Sequence, residues 1–145
     1  MMSDVRFKSA GLLPQQNMHG DRAQQLLEVT GALAVILSSQ DGLLVGAHRG
    51  AEREDAEKLA ALGTSLLAAS SKAAVFYPAA EGAPSGVRQL NLEREDGTFM
   101  ILAKVGPGVT VALFTGPRTD LASAAYEIAK FAQWFAPGVA DRAEA

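Results

Sequence analysis

The apolar positions of this chain follow two periods, and each marks a different kind of element. Ala32–Ser38 is a continuous apolar run rich in branched side chains, which is how a strand covered on both faces reads. Asp41-Gly42 then signals a hairpin, because glycine accepts the positive φ of a tight turn, and Leu43–His48 returns as a second strand. Gly46, in the middle of that return, marks either a bulge or the close approach of another backbone. Upstream, Asp21 is placed to cap a short helix, with Gln24 completing a capping box. Ala23, Leu26, Leu27 and Thr30 give it a narrow inward face, and Gly31 stops it.

Glu54–Ala74 carries the helical period. It has no proline, is filled with good helix formers, opens on Glu54, Asp55 and Glu57, and closes on Lys72, as the helix dipole favours. On a wheel of about 100° per residue, Glu54, Glu57, Lys58, Ser65 and Lys72 share one side. Leu59, Leu62 and Leu66 form one apolar ridge; Ala56, Ala60, Leu67 and Ala74 form another, with Gly63 and Ser70 in the valley between. That arc is wider than one sheet contact needs. One ridge is expected to cover a sheet, and the other, bordered by small residues, to receive the helix of a second subunit.

Tyr77–Gly86 is a loop rich in Pro, Gly and Ala. Val87–Glu95 then alternates, with Val87, Gln89, Asn91 and Glu93 on one face and Arg88, Leu90, Leu92 and Arg94 on the other; both faces are partly polar, as suits an edge strand. The turns Asp96-Gly97 and Gly106-Pro107-Gly108 link it to strands Thr98–Val105 and Val109–Thr115, an antiparallel meander. Asp120 caps a last helix that runs to about Phe135, before Pro137-Gly138. Tyr126 and Trp134 fall off its buried face and are expected to pack against the first helix or the arm.

The order α-β-β-α-β-β-β-α implies an α+β fold, an α/β sandwich: a five-stranded antiparallel sheet with the long central helix on one face and the two terminal helices on the other. Residues 1–20 are expected to be an arm with little regular structure, 21–137 the domain, and 138–145 a short charged tail.

Composition narrows the function classes. Apolar residues make up 48% and charged residues 20% of 145 residues, the profile of one ordinary globular domain. A net charge of −3 argues against nucleic acid or an anionic membrane as a partner. The acidic excess lies between Ala51 and Asp96, at a helix start and a strand end. The absence of cysteine excludes disulfides, thiolate catalysis and thiolate–metal sites. No apolar run approaches the ~20 residues of a membrane span, and no signal-peptide pattern is seen, so a cytoplasmic location is expected.

Catalytic patterns are not visible. The phosphate-binding Gly-rich loop entering a helix does not occur, and Gly106-Pro107-Gly108 joins two strands instead. His19 and His48 have no partner at metal-ligand spacing and read as ordinary surface histidines. No serine sits in a nucleophile elbow, and Glu52-Arg53-Glu54-Asp55 reads as a solvated helix start. No cofactor and no enzymatic activity are expected.

The segments "GALAVILSSQDGLLVGAH", "DAEKLAALGTSLLAASSKAA", "VRQLNLEREDGTFMILAKVGPGVTVALFT" and "LASAAYEIAKFAQWF" together resemble the roadblock/LC7 family, prokaryotic members above all. The resemblance runs from about Asp21 to Pro137 and preserves element order. It implies a non-enzymatic protein of roadblock/profilin-like fold that dimerises through side-by-side central helices and paired third strands. It also implies a Ras-like small GTPase as partner, with stimulation of GTP hydrolysis in the bacterial polarity regulators of the family. Carried onto this chain, the dimer seam would use Ala56, Ala60, Gly63, Leu67 and Ser70, with Val87, Gln89, Asn91 and Glu93 of the strand. The GTPase would meet Asp55, Lys58, Leu62 and Lys72. A homodimer across Val87–Glu93 would also close an exposed edge strand, which is otherwise an aggregation liability. The competing reading is a small-molecule-sensing or scaffold module of profilin-like fold, which would need a cavity between sheet and helix.

Overall fold

The computed structural model describes residues 11–77 and 86–135. The charged tail, the first ten residues of the arm and most of the Tyr77–Gly86 loop lie outside the described residues. After a single 3-10 turn at Pro14–Gln16 come α1 (Gly20–Thr30), β1 (Ala34–Ser39), β2 (Leu44–Ala47), α2 (Arg53–Ala74), β3 (Gln89–Glu93), β4 (Phe99–Gly106), β5 (Val109–Phe114) and α3 (Leu121–Trp134). The strands form one antiparallel sheet in the order β2-β1-β5-β4-β3.

The fully apolar strand lies where its composition requires. β1 pairs with β2 on one side and β5 on the other, and Val35, Ile36 and Leu37 are buried on both faces of the sheet. One face meets α2 through Ile36, Leu102 and Ala112. The opposite face meets α1 and α3 through Val35, Leu37, Ile101, Val111 and Leu113. The alternation of side chains across a strand produces this division.

Helix ends show what local chemistry decides. The Asp120 carboxylate accepts from Ser123 N–H at 2.9 Å and so caps α3, and the Ser123 hydroxyl and N–H hold its pKa below the usual carboxylate value. Gly31 ends α1 in the left-handed conformation, φ 70°. The start of α1 differs from the expectation. Asp21 does not cap it; the N-cap is His19, whose side chain makes no capping bond. Gln24 turns away as well, its side chain accepting from Arg49 N–H at 2.8 Å. The cause is tertiary: His19 N–H donates to the Val45 carbonyl at 2.9 Å, which pins the helix start to β2.

Gly46 combines both expected roles. The β1–β2 register slips beside it, and a Cβ at residue 46 would stand 2.9 Å from the carbonyl carbon of His19. β2 is nevertheless an outer strand rather than an interior one. The arm covers its free side, with Ala47 N–H donating to Asn17 Oδ1 at 3.2 Å.

Gly46→Ala should cost about 1–3 kcal/mol of stability, because the methyl meets backbone that has no rotamer with which to yield. Denaturant unfolding of the two proteins checks this; an unchanged midpoint would contradict the packing at β2.

Candidate interaction surface

α2 crosses the sheet from one edge to the other. In its first half the Ala61 Cα lies 3.5 Å from where a Gly42 Cβ would be, over the β1–β2 turn. Thr64 then exchanges a hydroxyl hydrogen bond of 3.0 Å with Ser38 of β1. Gly63 sits over β4 and β5, where a Cβ would be 3.2 Å from Leu102 Cδ2 and 3.8 Å from Ala112 Cβ. At the far side Ser71 Oγ accepts from Val87 N–H at 3.0 Å, beside the entry to β3. Past Ser71, Lys72 and Ala73 are exposed, and just beyond the helix end at Ala74 the residues Val75, Phe76 and Tyr77 are 53%, 80% and 88% exposed.

This geometry reverses the assignment of the two ridges. Ala56, Ala60, Gly63 and Leu67 are buried within one chain, against the sheet, so they cannot present themselves to a second subunit. Their small size serves a different contact: it lets the helix axis come close to the strands. Ser70 is half-buried and its hydroxyl donates to the Leu67 carbonyl of its own helix at 2.8 Å. Of the leucine ridge, Leu59 packs against the core beneath α2, while Leu62 and Leu66 are left outside, 59% and 39% exposed, with Ala69 and Ala73 exposed beside them.

The strand half of the expected seam divides differently. Val87 precedes β3 and packs against the α2 core cluster, tied by its N–H to Ser71. Gln89, Asn91 and Glu93 lie in β3, which has a sheet neighbour on one side only. Lys104 N–H donates to the Arg88 carbonyl and Arg94 N–H to the Thr98 carbonyl, so the even-numbered residues bond toward β4. By antiparallel alternation the N–H and C=O groups of Gln89, Asn91 and Glu93 point outward from the sheet. Gln89 Nε2 donates to Asn91 Oδ1 at 3.0 Å, which orders the side chains along this edge.

Asp55, Lys58, Leu62 and Lys72 are all exposed on the outward side of α2. Lys58 and Lys72 stand about 21 Å apart along the axis at 1.5 Å per residue. They share a face but make no convergent site. Among the described residues no group of three His, Asp or Glu could hold a metal ion, and no helix is long and apolar enough to cross a membrane. Neither histidine is the plain surface residue expected. His48 Nδ1 accepts from Val35 N–H at 3.1 Å, and burial lowers the pKa of His19.

The exposed apolar residues that the sequence reading did not single out are Val75, Phe76 and Tyr77, at the end of α2. A helix of 22 residues spans ~33 Å, whereas five strands span only ~20 Å, so an exposed end to α2 could have been foreseen from lengths alone.

The model of the roadblock/LC7 domain matches residues 19–113, from the α1 N-cap to β5. The chain belongs to the roadblock/LC7 domain family. No curated protein matches its sequence. A solved roadblock/LC7 domain from Streptomyces avermitilis is similar at 23% identity and a TM-score of 0.67, covering 93% of this chain and 100% of that one. Another solved roadblock/LC7 domain from that organism gives 25% identity and a TM-score of 0.59, over 78% and 93% of the two chains. MglB of Myxococcus xanthus gives 20% identity and a TM-score of 0.67, over 79% and 88%. In this roadblock/LC7 chain α3 lies beyond the matched stretch and completes the layer over β4 with α1.

Gly63→Leu should destabilise the single chain by about 1–3 kcal/mol through overpacking against Leu102, beyond the ~1 kcal/mol that helix propensity returns. A melting temperature at or above that of the original protein would mean that Gly63 does not face the sheet.

Proposed function

We propose that this chain is a homodimeric, non-catalytic adaptor that regulates a Ras-like small GTPase. One observation carries the dimer: the open edge of β3 and the exposed apolar end of α2 occur on the same side of the sheet. A single two-fold axis would therefore pair β3 with its copy and lay each apolar end, with Phe76 and Tyr77, on the other subunit. The same operation would bring Leu62 and Leu66 toward the second α2. An isologous contact of this kind satisfies the outward N–H and C=O groups and removes exposed apolar area together.

The GTPase is supported by family membership and by what the dimer leaves free. Lys58, Lys72 and Asp55 form a charged outward face on a rigid helix, and such a face can choose a partner and its register. A ligand-sensing role has less support, because the small ridge draws α2 onto the sheet where a buried ligand would sit.

Two measurements test this. Sedimentation should report twice the 15.1 kDa chain mass, and a single-chain particle at working concentration would end the dimer reading. Leu62→Glu combined with Phe76→Glu should give a folded monomer, with unchanged helical content and a dissociation constant raised at least ~100-fold; retention of the dimer would place the seam elsewhere. For the partner, capture from the native cell with GDP and with a GTP analogue should retain a small GTPase in one nucleotide state. Capture of no GTPase in either state would refute the regulator role.

A further inference from the structure

We propose that the groove between α1 and α3 receives the chain's own segment Val139–Ala145, whose carboxylates meet Arg22. These two helices cover the face of the sheet opposite α2, so the inference is independent of the dimer and of the GTPase.

The groove has a volume of about 350 Å³. Its apolar lining is Leu26, Val29, Phe131 and Trp134, and its cations are Arg22 and Lys130. Val29 is 57% exposed, and Phe131 and Trp134 are half-buried, so each keeps apolar surface that the core does not cover.

The two cations differ. Lys130 Nζ has the Glu127 carboxylate at 3.6 Å. Arg22 lays its guanidinium 4.1 Å from the centre of the Trp134 ring, and its Nη1 donates only to the neutral Gln25 Oε1, at 3.1 Å. Among the described residues no carboxylate pairs with it. A guanidinium held against a ring has already lost part of its hydration and its freedom to turn. An arriving carboxylate therefore gains a charge-assisted contact at little further ordering cost.

Position, reach and charge select the occupant. α3 ends at Trp134, and Phe135 is buried beside Gly106 and the His19 ring. The chain thus leaves the domain at the Arg22–Trp134 end of the groove. Pro137-Gly138 follows, a dipeptide that favours reversal of direction. From Arg22 to Val29 the groove runs about 10 Å, at about 1.5 Å per residue of α1. Val139–Ala145 reaches about 10 Å as a helix and over ~20 Å extended, so it covers the groove in either form. Its acids are Asp141 and Glu144, against the single base Arg142, and Val139, Ala140 and Ala143 supply apolar area. The acids suit Arg22, and Arg142 suits Glu127.

The chain has no cysteine and one tryptophan, so proximity can be read directly on the full chain. A nitroxide on Ala143→Cys should dim Trp134 fluorescence at least about threefold relative to a diamagnetic label at the same position, because the segment is tethered beside its site. Adding Asp141→Asn and Glu144→Gln should lower the docked-to-free ratio on the order of tenfold, and Arg22→Gln should do the same. In the Arg22→Gln chain, loss of the two carboxylates should change little more. Dimming that is absent, or that survives neutralisation of the carboxylates, overturns the proposal. Labelled chain that also carries Trp134→Phe, mixed with unlabelled original chain, should cause no dimming; dimming in that mixture gives the groove to a second copy and overturns it equally. Should Arg22→Gln not fold, the substitutions at Asp141 and Glu144, which alter no residue of the described core, decide alone.

Discussion

The contact between the small-residue ridge of α2 and the sheet is what the rest of this structure depends on. Ala56, Ala60, Gly63 and Leu67 are buried there, and Gly63 leaves only 3.2 Å between a hypothetical Cβ and Leu102. Close packing of this kind gains dispersion and removes apolar area from water over several turns at once. It also fixes the rotation of the helix about its axis. With the small ridge inward, the leucine ridge of Leu62 and Leu66 must be outward, and Lys58 and Lys72 must share its side.

The two edges of the sheet are treated differently, and that difference bears on assembly. β2 is short, carries a register slip, and is bonded on its free side by Asn17 and His19. β3 runs beside β4 for five residues, and its odd-numbered backbone groups face outward. A sheet with one pairing edge can close with a second copy but cannot extend through that edge without limit. Polar side chains at Gln89, Asn91 and Glu93 keep this edge compatible with water while it is unpaired.

On the proposed reading, function in this molecule lies in surfaces rather than in a pocket of reactive groups. The roadblock/LC7 relatives share its architecture at identities of 25% and below, so what is common is the sheet and its helices. On that reading, recognition of a particular partner would rest on side chains that the fold leaves free to vary, such as those on the outward face of α2.

Element order, the hairpin turns and the edge character of β3 were legible in the residues, because period, turn glycines and polar alternation are local properties. The helix spans agree closely: Glu54–Ala74 against Arg53–Ala74, and a last helix from the Asp120 cap. The rotation of α2 was not legible. Two apolar ridges of one helix satisfy the same periodicity, and the small one suits a helix partner as well as a sheet. The positions of Leu102 and Ala112 beneath Gly63 decided between them, and neither is a property of the α2 sequence. The start of α1 and the environment of His19 were hidden for the same reason, since Val45, Trp134 and Phe135 reach that residue only after the chain has folded back. Local chemistry thus determined which elements form and where they turn. Contacts between residues distant in sequence decided which face each element hides, because burial depends on what arrives opposite.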